Sequence, residues 1–300
     1  MPRMVESIPN FSISREQDEK GYDRLVGMAE HLSGCALLEV HTDGDNNRSV
    51  LKLVGTPEGV TEGVFRLSRT AVELIDMRNH RGRHARMGAV DVVPLIPVSG
   101  VTVADCAELA HKLGRRLWQE LGVPVFLYES AATRPECRSI ANIRRGEFEG
   151  MPEKLLRPKW APDFGERKIH PTAGVTAVGA RMHVVAFNVN LETRDKAVAQ
   201  KIAQVIQESF RYCRAMGFLS EERGLAQVSM SITDYENTPL YAVLERIRTL
   251  AEWQRTRVVD TEILGSLPAA AMIGCAEFYL KTRNFDRQTQ VLECHLMGME

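Results

Sequence analysis

Short apolar runs rich in β-branched residues alternate along the chain with longer segments whose apolar residues recur every three or four positions, the pattern of a mixed α/β protein. In the first half, Val5 to Ile8, Ala36 to Val40 and Val50 to Val54 read as strands. Val60, Val64, Leu67, Ala71 and Leu74 then form one stripe of a helix aimed at a sheet. Val90 to Val98 supplies another strand, Val103 to Leu121 a second helix stopped by Gly122, and Val123 to Tyr128 a further strand. From about Ala131 to Gly174 the periodicity lapses into Arg, Pro, Gly and charged residues, with one short helix expected at Ile140 to Glu147. Order returns with a strand at His183 to Asn190, a long helix predicted over Lys196 to Met216 and a strand at Ala226 to Ile232. A helix at Leu240 to Trp253, a short strand near Val258 and a helix at Ala269 to Leu280 follow. Each half thus alternates strands and helices in a similar order without any sequence repeat. Two sheet-and-helix subdomains in tandem are the expectation, with a ligand cleft between them.

Composition narrows the function classes. A chain of 300 residues is long enough for two units that each bury a core. Lys+Arg number 38 and Asp+Glu 39, so no global field draws the protein to nucleic acid or to an anionic bilayer. The six cysteines are widely spaced, with no metal-type pair and no small secreted framework, so they read as reduced thiols. The sequence begins without a charged leader and an apolar stretch, and no run of about 18 apolar residues occurs, which makes a cytoplasmic protein the default expectation.

Candidate chemistry concentrates in three places. The densest is HRGRHARMGAVDVVPLIPVSG, from His80 to Gly100, a polar loop leading into a buried strand. His84 is the natural general acid/base there, because its ordinary pKa lies near neutrality, and Asp91 is the nearest carboxylate that could orient it. A solvated charge cluster, a metal site using His80 and His84, and a phosphohistidine clamped by arginines are the competing readings. Gly82 disfavours the metal site by breaking the helix that would align its ligands, and no metal is expected. The second place is EVHTDGDNNRS, Glu39 to Ser49, which is first of all a turn. Asp43 and Asp45 beside Arg48 could also line a polar pocket, whereas a calcium loop would need a terminal Glu that is missing. The third is PDFGERKIHPTAGVTAVGAR, Pro162 to Arg181, either a linker or a wrap for a flat anionic ligand through backbone donors and the cations Arg167 and Lys168.

At these residues the chain resembles the formiminotransferase domain family, which comprises single-function bacterial glutamate formiminotransferases and the N-terminal part of the bifunctional formiminotransferase-cyclodeaminase. The resemblance begins at VESIPNFS and runs through HRGRHARMGAVDVVPLIPVSG, RRGEFEG at Arg144 to Gly150, PDFG, HPTAG, GARMHVVAFNVNLET and AQVSMSITDYENTPL, nearly the whole chain in collinear order. It implies an α/β fold of two ferredoxin-like subdomains, residues 1–181 and 182–300, with a substrate groove between them, in a homodimer. It further implies transfer of a formimino group from N-formimino-L-glutamate to tetrahydrofolate, within histidine degradation, with tetrahydrofolate as co-substrate.

Carried over residue by residue, the resemblance puts the catalytic histidine at His84. The folate-contacting loop becomes Gly165, Glu166, Arg167, Lys168, Ile169, His170, Pro171, Thr172, Ala173 and Gly174. Arg86 is the first candidate to hold the two-carboxylate donor by paired hydrogen bonds, and Asp43 and Arg48 are the other residues expected at the substrate. The family usually has an acidic residue in place of Arg83, a proline in place of Ala85 and an acidic residue in place of His41, substitutions that bear on donor choice. A formylglutamate or formimino-glycine donor, and a folate-binding paralogue without catalysis, are the alternatives.

Overall fold

The structure is a computed structural model and describes residues 2–296. It falls into two compact units, Met1–Arg181 and Met182–Glu300.

In the first unit, β1 (Met4–Ser7) and β2 (Asn10–Phe11) are successive pieces of one strand line, since both pair with the same two neighbours. There follow α1 (Glu19–Glu30), β3 (Cys35–Asp43), β4 (Arg48–Gly55), α2 (Pro57–Leu74), β5 (Val90–Ser99), α3 (Val103–Leu121), β6 (Val125–Glu129), α4 (Ile140–Arg144), α5 (Glu147–Leu156) and β7 (Thr176–Ala180). The sheet runs β3, β4, the β1/β2 line, β5, β7, β6, with β5, β7 and β6 parallel and the remaining pairs antiparallel. Up to β5 the connection is β-α-β-β-α-β, the ferredoxin-like arrangement, and the later elements extend the sheet. β4 alternates buried and half-buried residues because one of its faces meets helices. β5 is buried for its first seven residues, and this is why its sequence reads as a near-continuous apolar run.

The helix ends have local causes. Asp18 accepts the Gly21 N–H at the start of α1, and Thr56 followed by Pro57 opens α2. Thr102 and Asp105 form a reciprocal capping box on α3, and Gly122 at φ 67° ends that helix. The core of the unit gathers Leu51 and Leu53 of β4, Val60, Val64 and Leu67 of α2, and Leu95 of β5.

The second unit contains β8 (Val185–Leu191), α6 (Lys196–Ser209), β9 (Cys213–Ser220), β10 (Leu225–Ile232), α7 (Leu240–Trp253), β11 (Val258–Leu264) and α8 (Ala269–Leu280). Its antiparallel sheet runs β11, β8, β10, β9, which repeats the topology of the first unit up to β5. Phe187, Val189, Ile202, Ile206, Val228, Met230, Val243 and Ile247 fill its core. Two ferredoxin-like subdomains in an α/β protein are therefore present.

Several elements differ from the sequence reading, among them α5 (Glu147–Leu156), which lies beyond the one short helix expected at Ile140 to Glu147. The segment Glu19–Glu30 is a helix that the pattern did not announce, because two of its twelve positions are glycine and its apolar stripe is thin. The helix expected over Lys196 to Met216 ends at Ser209, and Cys213–Ser220 is a strand. Gly217 marks where β9 passes directly beneath α6, since a Cβ there would lie 2.3 Å from the backbone nitrogen of Gln200. Thr176–Ala180, within the irregular stretch, is the buried parallel strand β7.

β7 is reached through a close backbone crossing. Gly88 and Gly174 form an isolated antiparallel bridge, and a Cβ on Gly174 would lie 2.2 Å from the Met87 carbonyl oxygen at a φ of +72°. Gly174→Ala is therefore expected to cost about 1–3 kcal/mol of folding stability, from positive-φ strain with the clash added. Urea denaturation checks this through a lower midpoint, and an unchanged midpoint would show that the crossing yields freely.

Candidate active site

The loop from Met77 to Ala89 has little secondary structure of its own and is held by its neighbours. Met77 donates its N–H to the Thr172 carbonyl, and Ala89 donates to Ala173. Arg83 donates its N–H to the Asp45 carbonyl, so the loop lies across the turn between β3 and β4. His80 fixes the same contact: its Nε2 lies 2.8 Å from the Asn47 carbonyl, and its Nδ1 accepts from Arg86 Nε at 3.3 Å. His80 is thus a buried anchor in its neutral form, and burial is the main cause holding its pKa below the ordinary histidine value.

His84, at the middle of the loop, is half-buried. Its Nε2 lies 2.7 Å from Arg48 Nη1, and its Nδ1 is buried without a hydrogen-bond partner. Burial first, then the positive charges of Arg48 and Arg144, lower its pKa, with Asp91 and the Ala85 backbone opposing. The carboxylate expected to orient His84 is committed elsewhere. Asp91 accepts the Met87 N–H at 2.9 Å and two bonds from Arg144, at 3.0 and 2.5 Å. Burial pushes the Asp91 carboxyl up against the pull of Arg144. The histidine is therefore held by a cation, and the carboxylate acts on it through space.

The other expected site residues separate into groups. Arg86 lines the same narrow, tightly filled crevice as His84, Arg48 and Asp91. Its guanidinium, however, is ion-paired to Glu147 at 2.7 Å and Glu149 at 2.6 Å, and Arg86 is only 7% exposed. In this conformation Arg86 ties the start of α5 to the histidine loop, and a substrate carboxylate would have to compete with both glutamates for it. Asp43 does not line that cleft. Its oxygens accept the Asn46 backbone and side-chain N–H groups at 3.0 and 2.6 Å, which closes the turn and lowers its pKa. Arg48 follows this turn as the first residue of β4. Among the described residues it makes no ion pair, and its buried Nε has no partner.

The glycine-rich loop is anchored at both ends. Gly165, at φ +116°, sits against Pro124 and Trp118, where a Cβ would find neighbours at 3.0–3.1 Å. Glu166, Arg167, Lys168 and Pro171 are exposed, while Ile169 and Thr172 are half-buried. The half-buried His170 turns its Nδ1 inward to accept the Ala173 N–H at 3.0 Å, and burial lowers its pKa. Ala173 and Gly174 are buried where the loop crosses the histidine loop. The two segments singled out in the sequence thus meet at this end. Arg144, Glu147, Glu149 and Asn47 complete the surroundings; no residue-type signal marked them, although three of the four lie in the RRGEFEG motif.

A pH dependence follows. His80, His84 and His170 all have pKa values below the ordinary histidine value of 6.5, so below that pH the unfolded chain binds more protons than the folded one. Their stabilising contribution is complete above the ordinary value and declines as pH falls through the lowered ones. The urea midpoint should be lower at about pH 5.5 than at about pH 7.5. A midpoint unchanged or higher in acid would contradict the assignment of neutral, desolvated rings.

The chain matches known proteins along its length. Residues 4–181 match the model of the formiminotransferase domain, N-terminal subdomain, and residues 186–295 that of the formiminotransferase domain. A glutamate formimidoyltransferase of Streptococcus pyogenes serotype M1 is 48% identical, over 99% of this chain and 100% of its own length. One from Thermoplasma acidophilum is 35% identical over 94% of each chain. The formimidoyltransferase-cyclodeaminase of Gallus gallus is 42% identical over 94% of this chain but 53% of its own, so this chain spans about half of that bifunctional relative. With both subdomain models matched in order and a relative aligned end to end, the chain belongs to the formiminotransferase family.

Proposed function

We propose that this protein is a glutamate formimidoyltransferase of histidine degradation. It moves the formimino group of N-formimino-L-glutamate to N5 of tetrahydrofolate, with His84 as the proton-transfer group. The observation that carries this reading is a half-buried histidine kept below its ordinary pKa, in a chain nearly half identical to a glutamate formimidoyltransferase from end to end.

The reaction needs a group that accepts a proton and then returns it. N5 attacks the formimino carbon, forming the new C–N bond while the C=N electrons move onto nitrogen. The tetrahedral intermediate then expels the glutamate nitrogen, which must leave protonated. A neutral imidazole takes the proton from N5 and delivers it to the leaving nitrogen, so one ring serves both steps. A depressed pKa suits that task, because the ring enters the cycle as a base at neutral pH. Holding two substrates in register supplies a further part of the rate.

Tetrahydrofolate is the co-substrate, and residues 165–174 are the segment that would contact it. Exposed Arg167 and Lys168, which make no ion pair among the described residues, suit the carboxylates of its glutamate tail. Six free cysteines support a reducing compartment, and no helix among the described residues is long and apolar enough to cross a membrane. A cytoplasmic homodimer fits this reading.

His84→Gln should lower kcat by roughly a hundredfold to ten-thousandfold with folate affinity near wild type. Formation of 5-formimino-tetrahydrofolate is the readout, and full turnover in a folded variant would reject the assignment. Lys168→Glu should weaken folate binding by roughly tenfold, the order of one charge-assisted hydrogen bond. Superimposable titration curves for variant and wild type would remove the loop from the folate site.

A further inference from the structure

Three arginines surround His84, and they are not equivalent. Arg86 is ion-paired to Glu147 and Glu149, and Arg144 to Asp91. Arg48 makes no ion pair among the described residues. One of its Nη1 donors points at a neutral ring nitrogen 2.7 Å away, and its buried Nε is unspent. A half-buried guanidinium in that state has its best acceptor still to come, since a carboxylate binds it in a planar fork and about twice as strongly as a neutral acceptor does.

The same contact dictates the state of the ring. A guanidinium only donates, so at 2.7 Å the Nε2 atom must present its lone pair. The ring is then neutral with its proton on Nδ1. Its one lone pair, the one a base needs, is covered by Arg48. Arg48 has little freedom to be there by accident: the turn before it is closed by Asp43 on Asn46, and Ser49 after it donates its hydroxyl to the Ile13 carbonyl at 2.7 Å.

We propose that Arg48 is a positioning residue that caps the Nε2 lone pair of His84 in the substrate-free protein, holds the ring as its Nδ1–H tautomer, and uncovers it when a substrate carboxylate draws the guanidinium away. The inference rests on the reading of His84 as the proton-transfer group. It adds that the base is masked until an anionic substrate engages Arg48, which ties proton transfer to the presence of the carboxylate-bearing donor. The charged and titratable groups facing the ring are Arg48 from β4, Arg144 from α4 and Asp91 from β5, with His80 and Arg86 lining the same cleft. Arg144 and Asp91 are bonded to each other and Arg86 to its glutamates, so Arg48 is the member of the set with a partner to exchange.

The test is nitrogen NMR of the full chain labelled at histidine, with His84→Gln used for assignment. Substrate-free wild type should show His84 with its proton on Nδ1. Excess L-glutamate, a dicarboxylate that cannot react, should shift the His84 nitrogens in wild type. Arg48→Gln should lose the tautomer preference, titrate at higher pH than wild type, and give no glutamate-dependent shift at His84. The acid limb of its kcat/KM profile should move upward with that titration while the urea midpoint stays near wild type, which separates loss of the Arg48 contact from a general loosening of the fold. A wild-type ring protonated on Nε2 would overturn the proposal without any variant. So would an Arg48→Gln protein whose His84 tautomer, titration and glutamate response match wild type. Undiminished turnover in His84→Gln would defeat the catalytic reading while leaving the tautomer result standing, so the two failures are distinguishable.

Discussion

The chemistry of the site depends on a histidine ring placed against a cation. Histidines in proton-transfer sites are commonly steadied by a carboxylate, which favours the charged ring. His84 has the opposite arrangement: its Nε2 meets Arg48, and the nearby carboxylate of Asp91 is bonded to Arg144 and to the Met87 N–H. Burial and two positive charges act together on the ring, so its neutral form dominates where an unperturbed histidine would be partly charged. That bias keeps the ring in the form that can accept a proton.

The scaffold sustains the arrangement through backbone crossings and ion pairs more than through secondary structure at the site. The histidine loop lies across the β3–β4 turn through the Arg83 N–H and the His80 ring. It is tied to the start of α5 by Arg86, Glu147 and Glu149, and to the end of the glycine-rich loop by the Gly88–Gly174 bridge. Each of these is a contact between segments far apart in sequence. The ferredoxin-like sheet fixes Arg48 and Asp91 on strands, so two of the groups that act on His84 stand on rigid elements while the ring sits on a loop.

This division explains what was legible in the sequence. β4, α2 and α3 could be read because burial on one face imposes a period that the residues must follow, and β5 because burial on both faces makes it one apolar run. α1 and β9 could not, because glycines at 21, 27 and 217 dilute the pattern, those at 21 and 217 where neighbours pack closely. His84 stood out by its chemistry and by the family resemblance. The choice between Arg86 and Arg48 did not, because sequence cannot tell which arginine has its carboxylate already bound. The glutamates that occupy Arg86 lie more than sixty residues away along the chain. Asp91 misled for the same reason: nearness in sequence pointed to His84, and the fold brought Arg144 to it instead.

The most direct test of the account is a crystal structure of the protein with tetrahydrofolate and L-glutamate bound. The account predicts His84 Nε2 within roughly 2.6–3.2 Å of folate N5, and Arg48 turned from the ring onto a glutamate carboxylate. A pterin seated away from His84, or Arg48 still covering Nε2 with both ligands in place, would contradict it.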